Sequence, residues 1–231
     1  MKIGIIGAGN IGGTLTRRLT ALGHDVTVAN SRGPKTLTDL TSETGAHAAP
    51  VEEVADGKDL LVVAIPENRV PDLPDHVLDT HDGHLVVVDT GNYYPRQRDG
   101  RIEEIEAGTP ESRWVERQLH HSVIKAFNNI YAQHLMGDGR PAGDRERIAL
   151  PVAGDDGPDK ALVMELVDSL GFDPVDAGGI DESWRQQPGT PVYTTDHNAE
   201  GVRRALAEAP AERPADWRAT SRSPGSFTSP A

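Results

Sequence analysis

A glycine-rich turn near the start of the chain constrains the fold more than any other feature. The stretch "KIGIIGAGNIGGTLTRRLTAL" sets three glycines in the spacing GxGxxG, directly after an apolar strand pattern and directly before an amphipathic helix pattern. In this context the glycines permit a tight turn, close approach of a diphosphate and close helix packing, and the helix N-terminus faces the diphosphate. We therefore predict a dinucleotide site at Gly7, Gly9, Asn10, Ile11 and Gly12; the alternative is a glycine turn without a ligand.

Short segments rich in Val and Ile alternate with helix patterns along the chain. They read KIGII, DVTVA, DLLVVAI, HLVVVD, SVIKAF, RIALPVAG and DPVDA. Strands that are apolar on both faces are typical of a parallel sheet covered by helices on both sides. Helix patterns lie near residues 10–22, 35–44, 110–119, 159–170 and 198–209. The prediction is an α/β fold with a doubly wound, mostly parallel sheet.

The chain length and a change of composition indicate the domain organisation. The 231 residues suit one domain rather than two large ones. We assign residues 1–209 to a single domain with a small C-terminal α/β portion. From about Pro210 the chain is rich in Pro, Ser, Arg and Thr, which predicts a poorly ordered tail over residues 210–231. The alternative is an arm that packs on a second subunit.

Charge and residue usage exclude several classes of function. A net charge of -13 argues against nucleic acid or an anionic membrane as partner, because both select basic patches. The sequence has no apolar run that could span a bilayer and no cleavable signal pattern, so we expect a cytoplasmic protein. The chain has no cysteine, which excludes disulfides and thiolate metal sites, and its nine histidines show no metal-binding spacing. We expect no metal.

The residues after the second predicted strand indicate which dinucleotide binds. An acidic residue that grips a ribose 2′-hydroxyl is expected about 20 residues past the glycines. The chain instead has Asn30, Ser31 and Arg32, followed by Lys35. A hydroxyl and a guanidinium would form charge-assisted hydrogen bonds with a 2′-phosphate, which a carboxylate would repel. The pattern predicts NADP(H) rather than NAD(H); the alternative for Arg32 and Lys35 is a solvated helix start.

Polar residues also follow three other predicted strands. Ligands of an open α/β sheet bind beyond the carboxyl ends of its strands. Ile65 and Pro66 end one strand, where the proline turns the chain beside the expected nicotinamide ribose. Asn92 follows the next strand, and Lys125 and Asn128 lie at the end of the one after that. Lys125 is costly in a buried strand unless paired, so it either extends to the surface or contacts substrate or cofactor in the cleft.

A late segment, "SWRQQPGTPVY", has no apolar periodicity but many large side chains. Trp184 and Tyr193 offer flat aromatic surface, and Arg185 offers a fork for anions. Such a loop is typical of a binding wall or a subunit contact. We predict substrate contacts at these three residues, with Asn92 and Asn128.

Six segments together resemble a known family: "IGIIGAGNIGGTL", "VANSRGPKTL", "VVVDTGNYYP", "KAFNNI", "PVAGDD" and "SWRQQPGTPVY". They are similar to NADPH-dependent oxidoreductases related to the coenzyme F-420 (deazaflavin) dependent NADP oxidoreductases, in particular the bacterial branch. The resemblance runs from residue 1 to about residue 209. It implies an N-terminal Rossmann domain, a small C-terminal portion that closes the cleft, and a homodimer.

The resemblance also implies site residues and a reaction. The 2′-phosphate contacts of the family fall on Ser31 and Arg32, and its nicotinamide contacts fall near Ile65, Pro66 and Ala126. In the archaeal members, hydride passes directly between NADPH and the stacked deazaflavin ring, with no obligatory acid or base from the protein. The long "DTGNYYPRQRDGRIEEIEAGTPESRWVERQL" segment and the "SWRQQPGTPVY" segment depart from that pattern.

Three functions are compatible with these observations. The first is NADPH-dependent hydride transfer to a planar acceptor such as coenzyme F-420 or a flavin. The second is reduction of an imine or carbonyl in a small metabolite, which needs a proton donor, and Lys125 or Tyr93 would be the candidate. The third is a non-catalytic NADPH-binding sensor or assembly module, since fold alone does not imply catalysis.

Overall fold

The computed structural model describes residues 1–78, 83–155, 157–223 and 225. Six strands form one parallel sheet: β1 Lys2–Ile6, β2 Asp25–Ala29, β3 His47–Ala48, β4 Leu60–Val63, β5 Val86–Asp89 and β6 Val123–Lys125. Their spatial order is β3-β2-β1-β4-β5-β6, which is the Rossmann order. The predicted fold class is confirmed.

The helices follow the predicted patterns with small shifts. They are α1 Asn10–Ala21, α2 Thr38–Thr44, α3 Glu103–Glu106, α4 Glu111–Leu119, α5 Ala132–Gly137, α6 Gly157–Ser169 and α7 Ala199–Ala207. The predicted helix over residues 35–44 divides into a 3₁₀ turn, Pro34–Leu37, and α2. The sequence did not indicate β3, α3 or α5, because elements of two to six residues are too short to show a period.

The sheet is buried on both faces because successive strand residues point to opposite sides. Ile3 and Ile5 of β1 pack in one core cluster with residues of α1 and α6. Ile6 of the same strand packs in a second cluster with Trp114 and Val115 of α4. This arrangement leaves the carboxyl ends of the strands as the edge where the connecting loops meet.

The small C-terminal portion contains a second, two-stranded parallel sheet. Its strands are β7 Ala149–Val152 and β8 Asp173–Asp176. The end of β7 joins the main sheet through an antiparallel bridge, in which Lys125 and Ala153 exchange backbone hydrogen bonds of 2.8 and 3.1 Å. The bridge links the two sheets through the backbone, and the single domain over residues 1–209 stays a prediction.

The described part of the tail packs on its own chain, which differs from the predicted poor order. We call residues 210–223 the C-terminal strap. Arg96 Nη1 donates to the carbonyl oxygens of Ser221 and Ser223 at 2.8 and 2.7 Å, and a carboxylate oxygen of Glu106 accepts from the backbone N–H of Ala219 at 2.7 Å. These contacts hold the polar strap, so its composition alone was misleading. The predicted tail residues 224 and 226–231 lie outside the described residues.

Candidate functional site

A cleft of about 860 Å³ opens at the carboxyl ends of β1, β2 and β4. This volume lies within the range of about 300–1,000 Å³ that is usual for small-molecule sites. The cleft is lined by residues of the glycine turn, the loop after β2, the turn before β4 and the loop after β4: 6–9, 30–33, 50–52, 64–66, 69 and 72–74. Its position matches the edge at which Rossmann sheets bind ligands.

The three glycines of the turn differ in whether a side chain at each position would fit. Gly7 has φ of +108°, and an added Cβ would lie 2.2 Å from the carbonyl oxygen of Ala64. An added Cβ on Gly12 would lie 1.9 Å from the carbonyl oxygen of Gly7. At Gly9, by contrast, an added Cβ would meet nothing within 4 Å, and the residue is exposed. Folding therefore explains Gly7 and Gly12, whereas packing within the chain does not require a glycine at position 9.

The N-terminus of α1 offers free donors at the same place. The first N–H groups of a helix have no partner within the helix, and no side chain caps α1 at Gly9. The first turn contains no acidic residue, and Asn10 at its start is exposed while Ile11 is half-buried. The helix end is thus suited to an anion such as a diphosphate.

The loop after β2 presents a hydroxyl and a guanidinium to the cleft. Ser31 and Arg32 are exposed and line it. The buried Asn30 also lines the cleft, but its side chain holds the loop: its Oδ1 accepts the Arg32 N–H at 3.0 Å, and its Nδ2 donates to Thr36 Oγ1 at 2.9 Å. Lys35 is exposed and lies outside the cleft lining, and its predicted cofactor contact stays a prediction.

The opposite end of the cleft is formed by the loop after β4. Ile65 and Pro66 line it, and their predicted contact with the nicotinamide stays a prediction. Ala126, the other predicted nicotinamide contact, is fully buried in the core, and its N–H donates to the carbonyl oxygen of Asp89 at 3.2 Å. The side chain of Ala126 therefore does not reach the cleft wall.

Lys125 takes neither of its two predicted positions. It is fully buried, and its Nζ donates to Asp89 Oδ2 at 3.0 Å and to the Gly91 carbonyl oxygen at 2.6 Å. Burial alone would lower the pKa of Lys125, but the surrounding carboxylates, Asp89 foremost, raise it above its ordinary value. A buried, paired ammonium with a raised pKa is a poor proton donor, so the predicted catalytic role of Lys125 is not supported.

Tyr93 is also a core residue rather than a cleft residue. Its side chain is fully buried, and its hydroxyl accepts the Ile102 N–H at 3.0 Å. The Arg213 guanidinium lies 5.4 Å from the centre of its ring. Burial raises the pKa of Tyr93 strongly. The predicted role of Tyr93 as an acid at the substrate does not fit this position.

Asn92 and Asn128 hydrogen-bond to each other and to Gln186, but neither lines the cleft, so their predicted substrate contacts stay a prediction. Asn128 Nδ2 donates to Asn92 Oδ1 at 3.0 Å and to the Gln186 carbonyl oxygen at 2.7 Å, while Gln186 Nε2 donates to Asn128 Oδ1 at 2.9 Å. Phe127, just before Asn128, has φ of +62°, an unfavourable value for a bulky residue. Backbone strain of this kind occurs most often at active sites and ligand contacts.

The three residues predicted from the late segment do not line the cleft. The Tyr193 hydroxyl bonds to the Tyr94 hydroxyl, and its ring lies edge-on to Trp217 of the strap at 5.9 Å. Trp184 lines a separate cavity of about 350 Å³ beneath the strap, with the Arg185 guanidinium 4.3 Å from its ring centre. A substrate role for these residues stays a prediction. The sequence did not indicate that Tyr94 contacts Tyr193, although Tyr94 stands beside Tyr93 in "NYYP".

A buried acidic cluster lies beside the loop after β4, and sequence reasoning did not predict it. Glu67 directly follows Pro66, is fully buried, and neither of its carboxylate oxygens has a hydrogen-bond partner among the described residues. Glu111 is fully buried and paired with Arg213 of the strap. The Ser112 hydroxyl donates to Asp89 at 2.7 Å. The only sequence signal was a glutamate directly after the strand-ending proline in "AIPENRV".

The described residues contain neither a candidate metal cluster nor a helix that could span a membrane. No group of three or more His, Asp or Glu side chains in the described ranges could hold a metal ion. None of the helices that the structure describes is long and apolar enough to cross a membrane.

Comparison with known proteins identifies the family. The model of the family described as NADP oxidoreductase, coenzyme F420-dependent, matches residues 2–93. The structure of the hypothetical protein SMa0349 from Sinorhizobium meliloti is 30% identical, with a TM-score of 0.73, and the match covers 86% of this chain and 95% of that one. The chain belongs to this family.

Two further relatives of this family member are informative. The "putative f420 dependent nadp-reductase" of Arthrobacter sp. FB24 is 27% identical with a TM-score of 0.66, and the match covers 80% of this chain and 87% of that one. Protein YjhV of Escherichia coli K12 is 50% identical over 66 residues, which are 29% of this chain and 48% of that protein. The matched part of the chain thus spans about half or less of the length of these curated relatives.

Proposed function

We propose that this family member is an NADP(H)-dependent oxidoreductase that transfers hydride between NADP(H) and a planar acceptor such as coenzyme F-420 or a flavin. One observation carries the proposal: an uncapped helix N-terminus and a glycine with no neighbour on its open side face a cleft whose rim presents Ser31 and Arg32. Gly9 and the end of α1 would hold the diphosphate, and the rim would hold the 2′-phosphate.

The acceptor is the finer part of the proposal. Direct transfer to a planar ring is supported by the positions of Lys125 and Tyr93, because both predicted proton donors are buried and engaged elsewhere. The family description and the name of the Arthrobacter relative support coenzyme F-420 as that ring. The protein would then contribute positioning and exclusion of water, and the cofactor would supply the hydride chemistry.

The cofactor part is tested by binding. Substitution Arg32→Ala removes charge-assisted hydrogen bonds worth about 1.5–3 kcal/mol, so we expect the dissociation constant of NADPH to rise roughly 10- to 150-fold. The dissociation constant of NADH should change little, because NADH has no 2′-phosphate. Arg203, exposed on α7, provides the matched control Arg203→Ala. An equal effect of Arg32→Ala on both nucleotides would refute the rim assignment.

The acceptor part is tested by turnover. Oxidation of NADPH is followed anaerobically by its absorbance with oxidised coenzyme F-420, FMN and FAD offered separately. Turnover with one of these rings supports the proposal, and tight NADPH binding without turnover on any of them favours the sensor or small-metabolite reading. A homodimer and a cytoplasmic location also stay proposals; light scattering of the purified protein tests the first.

A further inference from the structure

The charge count of the buried cluster leaves one carboxyl group without a cation. Three carboxyl groups, Glu67, Asp89 and Glu111, are buried together behind the carboxyl ends of β4 and β5. Lys125 pairs with Asp89, and Arg213 pairs with Glu111. Among the described residues no cation and no hydrogen-bond donor pairs with Glu67. An ionised carboxylate buried without a partner costs several kcal/mol, so such a group takes up a proton instead.

The surroundings of Glu67 agree with a neutral acid. Burial, and next the charge of Asp89, raise the pKa of Glu67 well above its ordinary value, while the more weakly acting Lys125 lowers it. Glu111 of α4 and Asp99 of the π turn 95–99 raise it further. The neighbours of Glu67 are thus predominantly acidic, and the protonated form is the one that fits.

The position of Glu67 connects this proton to the cofactor. Glu67 directly follows Pro66 of the cleft wall, and its side chain lies against Gly91 after β5, where an added Cβ would be 2.5 Å from Glu67 Oε1. The carbonyl oxygen of Gly91 accepts from Lys125. The proton therefore lies behind the end of the cleft that takes the nicotinamide in our assignment. That ring is neutral in NADPH and carries one positive charge in NADP⁺.

We propose that Glu67 holds a proton in the ligand-free protein and in the NADPH complex, and releases it when NADP⁺ occupies the cleft. When the C–H bond of NADPH breaks, both electrons leave with the hydride for the acceptor, and the cofactor gains one positive charge. The O–H bond of Glu67 then breaks, its proton passes to solvent, and the remaining carboxylate balances that charge. Glu67 would be a positioning residue that stabilises the oxidised cofactor. This inference rests on the proposed function.

Proton counting at a pH near 8 tests the inference. NADP⁺ or NADPH is added to the protein in weak buffer with a pH indicator, and the protons released per bound nucleotide are compared. Taking the difference between the two nucleotides cancels the 2′-phosphate, which both carry. We expect NADP⁺ to release up to one proton more than NADPH in the native protein, and no such difference in Glu67→Gln, which keeps the shape of the neutral acid. The exposed Glu53 provides the matched control Glu53→Gln, which should behave as the native protein.

The outcomes separate the two proposals. Tight binding of both nucleotides with equal proton release overturns the role of Glu67 and leaves the proposed function standing. Failure of both nucleotides to bind overturns the proposed function and the inference with it. An infrared spectrum of the ligand-free protein gives a second readout: the carbonyl band of a neutral carboxylic acid should be present and should disappear in Glu67→Gln. Absence of that band from the native protein overturns the inference.

Discussion

Replacing Lys125 by methionine should destabilise the protein rather than disable a catalyst. Methionine fills similar space without a charge, which leaves Asp89 buried without its cation. Removing one partner of a buried pair costs about 3–5 kcal/mol. Asp89 keeps two donors, the Gly91 N–H and the Ser112 hydroxyl, both at 2.7 Å. We therefore expect the lower end of that range, about 3 kcal/mol.

The assay is urea unfolding followed by circular dichroism, with thermal unfolding as a check. For a domain of this size 1 kcal/mol corresponds to about 2–4 °C, so Lys125→Met should lower Tm by about 6–12 °C. The matched control is Lys160→Met. Lys160 also pairs with an aspartate at 2.8 Å, but that partner, Asp176, is more than half exposed, so the loss should be at most about 1 kcal/mol.

Two results would refute this account of Lys125. A loss of stability no larger than that of the Lys160 control would mean that the pair with Asp89 does not hold a buried charge. Native stability and native NADPH binding combined with abolished turnover would restore Lys125 as a proton donor. A double substitution of Lys125→Met with Asp89→Asn should recover part of the lost stability, because it removes the uncompensated charge.

Three further predictions test other parts of the structure. Gly9→Ala should leave Tm within about 2 °C of the native value but weaken NADPH binding at least tenfold. Gly12→Ala should lower Tm, because the added Cβ meets the backbone. Equal behaviour of the two variants in differential scanning fluorimetry and NADPH titration would contradict the glycine assignments. Arg213→Met should cost about 3–5 kcal/mol in urea unfolding by leaving the buried Glu111 unpaired, and a loss below about 1 kcal/mol would show that the strap does not neutralise it. The pKa of Glu67 is raised in the native protein, so the native state holds a proton that the unfolded chain loses above a pH of about 4.3. Compared with Glu67→Gln, the free energy of unfolding of the native protein should therefore fall as pH rises above that value, by up to about 1.36 kcal/mol per pH unit. Parallel pH profiles of the two proteins would refute a neutral Glu67.

The nucleotide half of the site could be predicted because its signals are local. The strand, the glycine spacing and the helix lie within 21 residues, and the structure places them at one cleft. Ser31 and Arg32 lie two and three residues after the end of β2, so their position follows from the end of the strand. Lys35 lies only three residues further, but the chain has already turned into the 3₁₀ segment there, and Lys35 is not among the residues that line the cleft.

The acceptor half could not be predicted because it depends on side-chain direction and on distant partners. Tyr93 and Tyr94 are adjacent, yet the first is buried against the core and the second bonds to Tyr193. Neighbouring residues of an extended chain point to opposite sides, so an error of one residue exchanges a core side chain for a site side chain. For Lys125, the sequence indicated that burial of the ammonium group would be costly. Its partner Asp89 is 36 residues away, however, and no local sequence pattern indicates that the two side chains pair.

The strap shows how composition misleads when charged residues have buried partners. A segment rich in Arg, Pro and Ser looks disordered because each arginine is counted as solvated. Arg213 is instead mostly buried against Glu111, and Trp217 packs beside Tyr94 and Tyr193. The strap therefore supplies one of the two cations that balance the acidic cluster. Its removal would leave Glu111 buried without a cation, so the charge balance of the cluster behind β4 and β5 depends on residues that composition would have assigned to solvent.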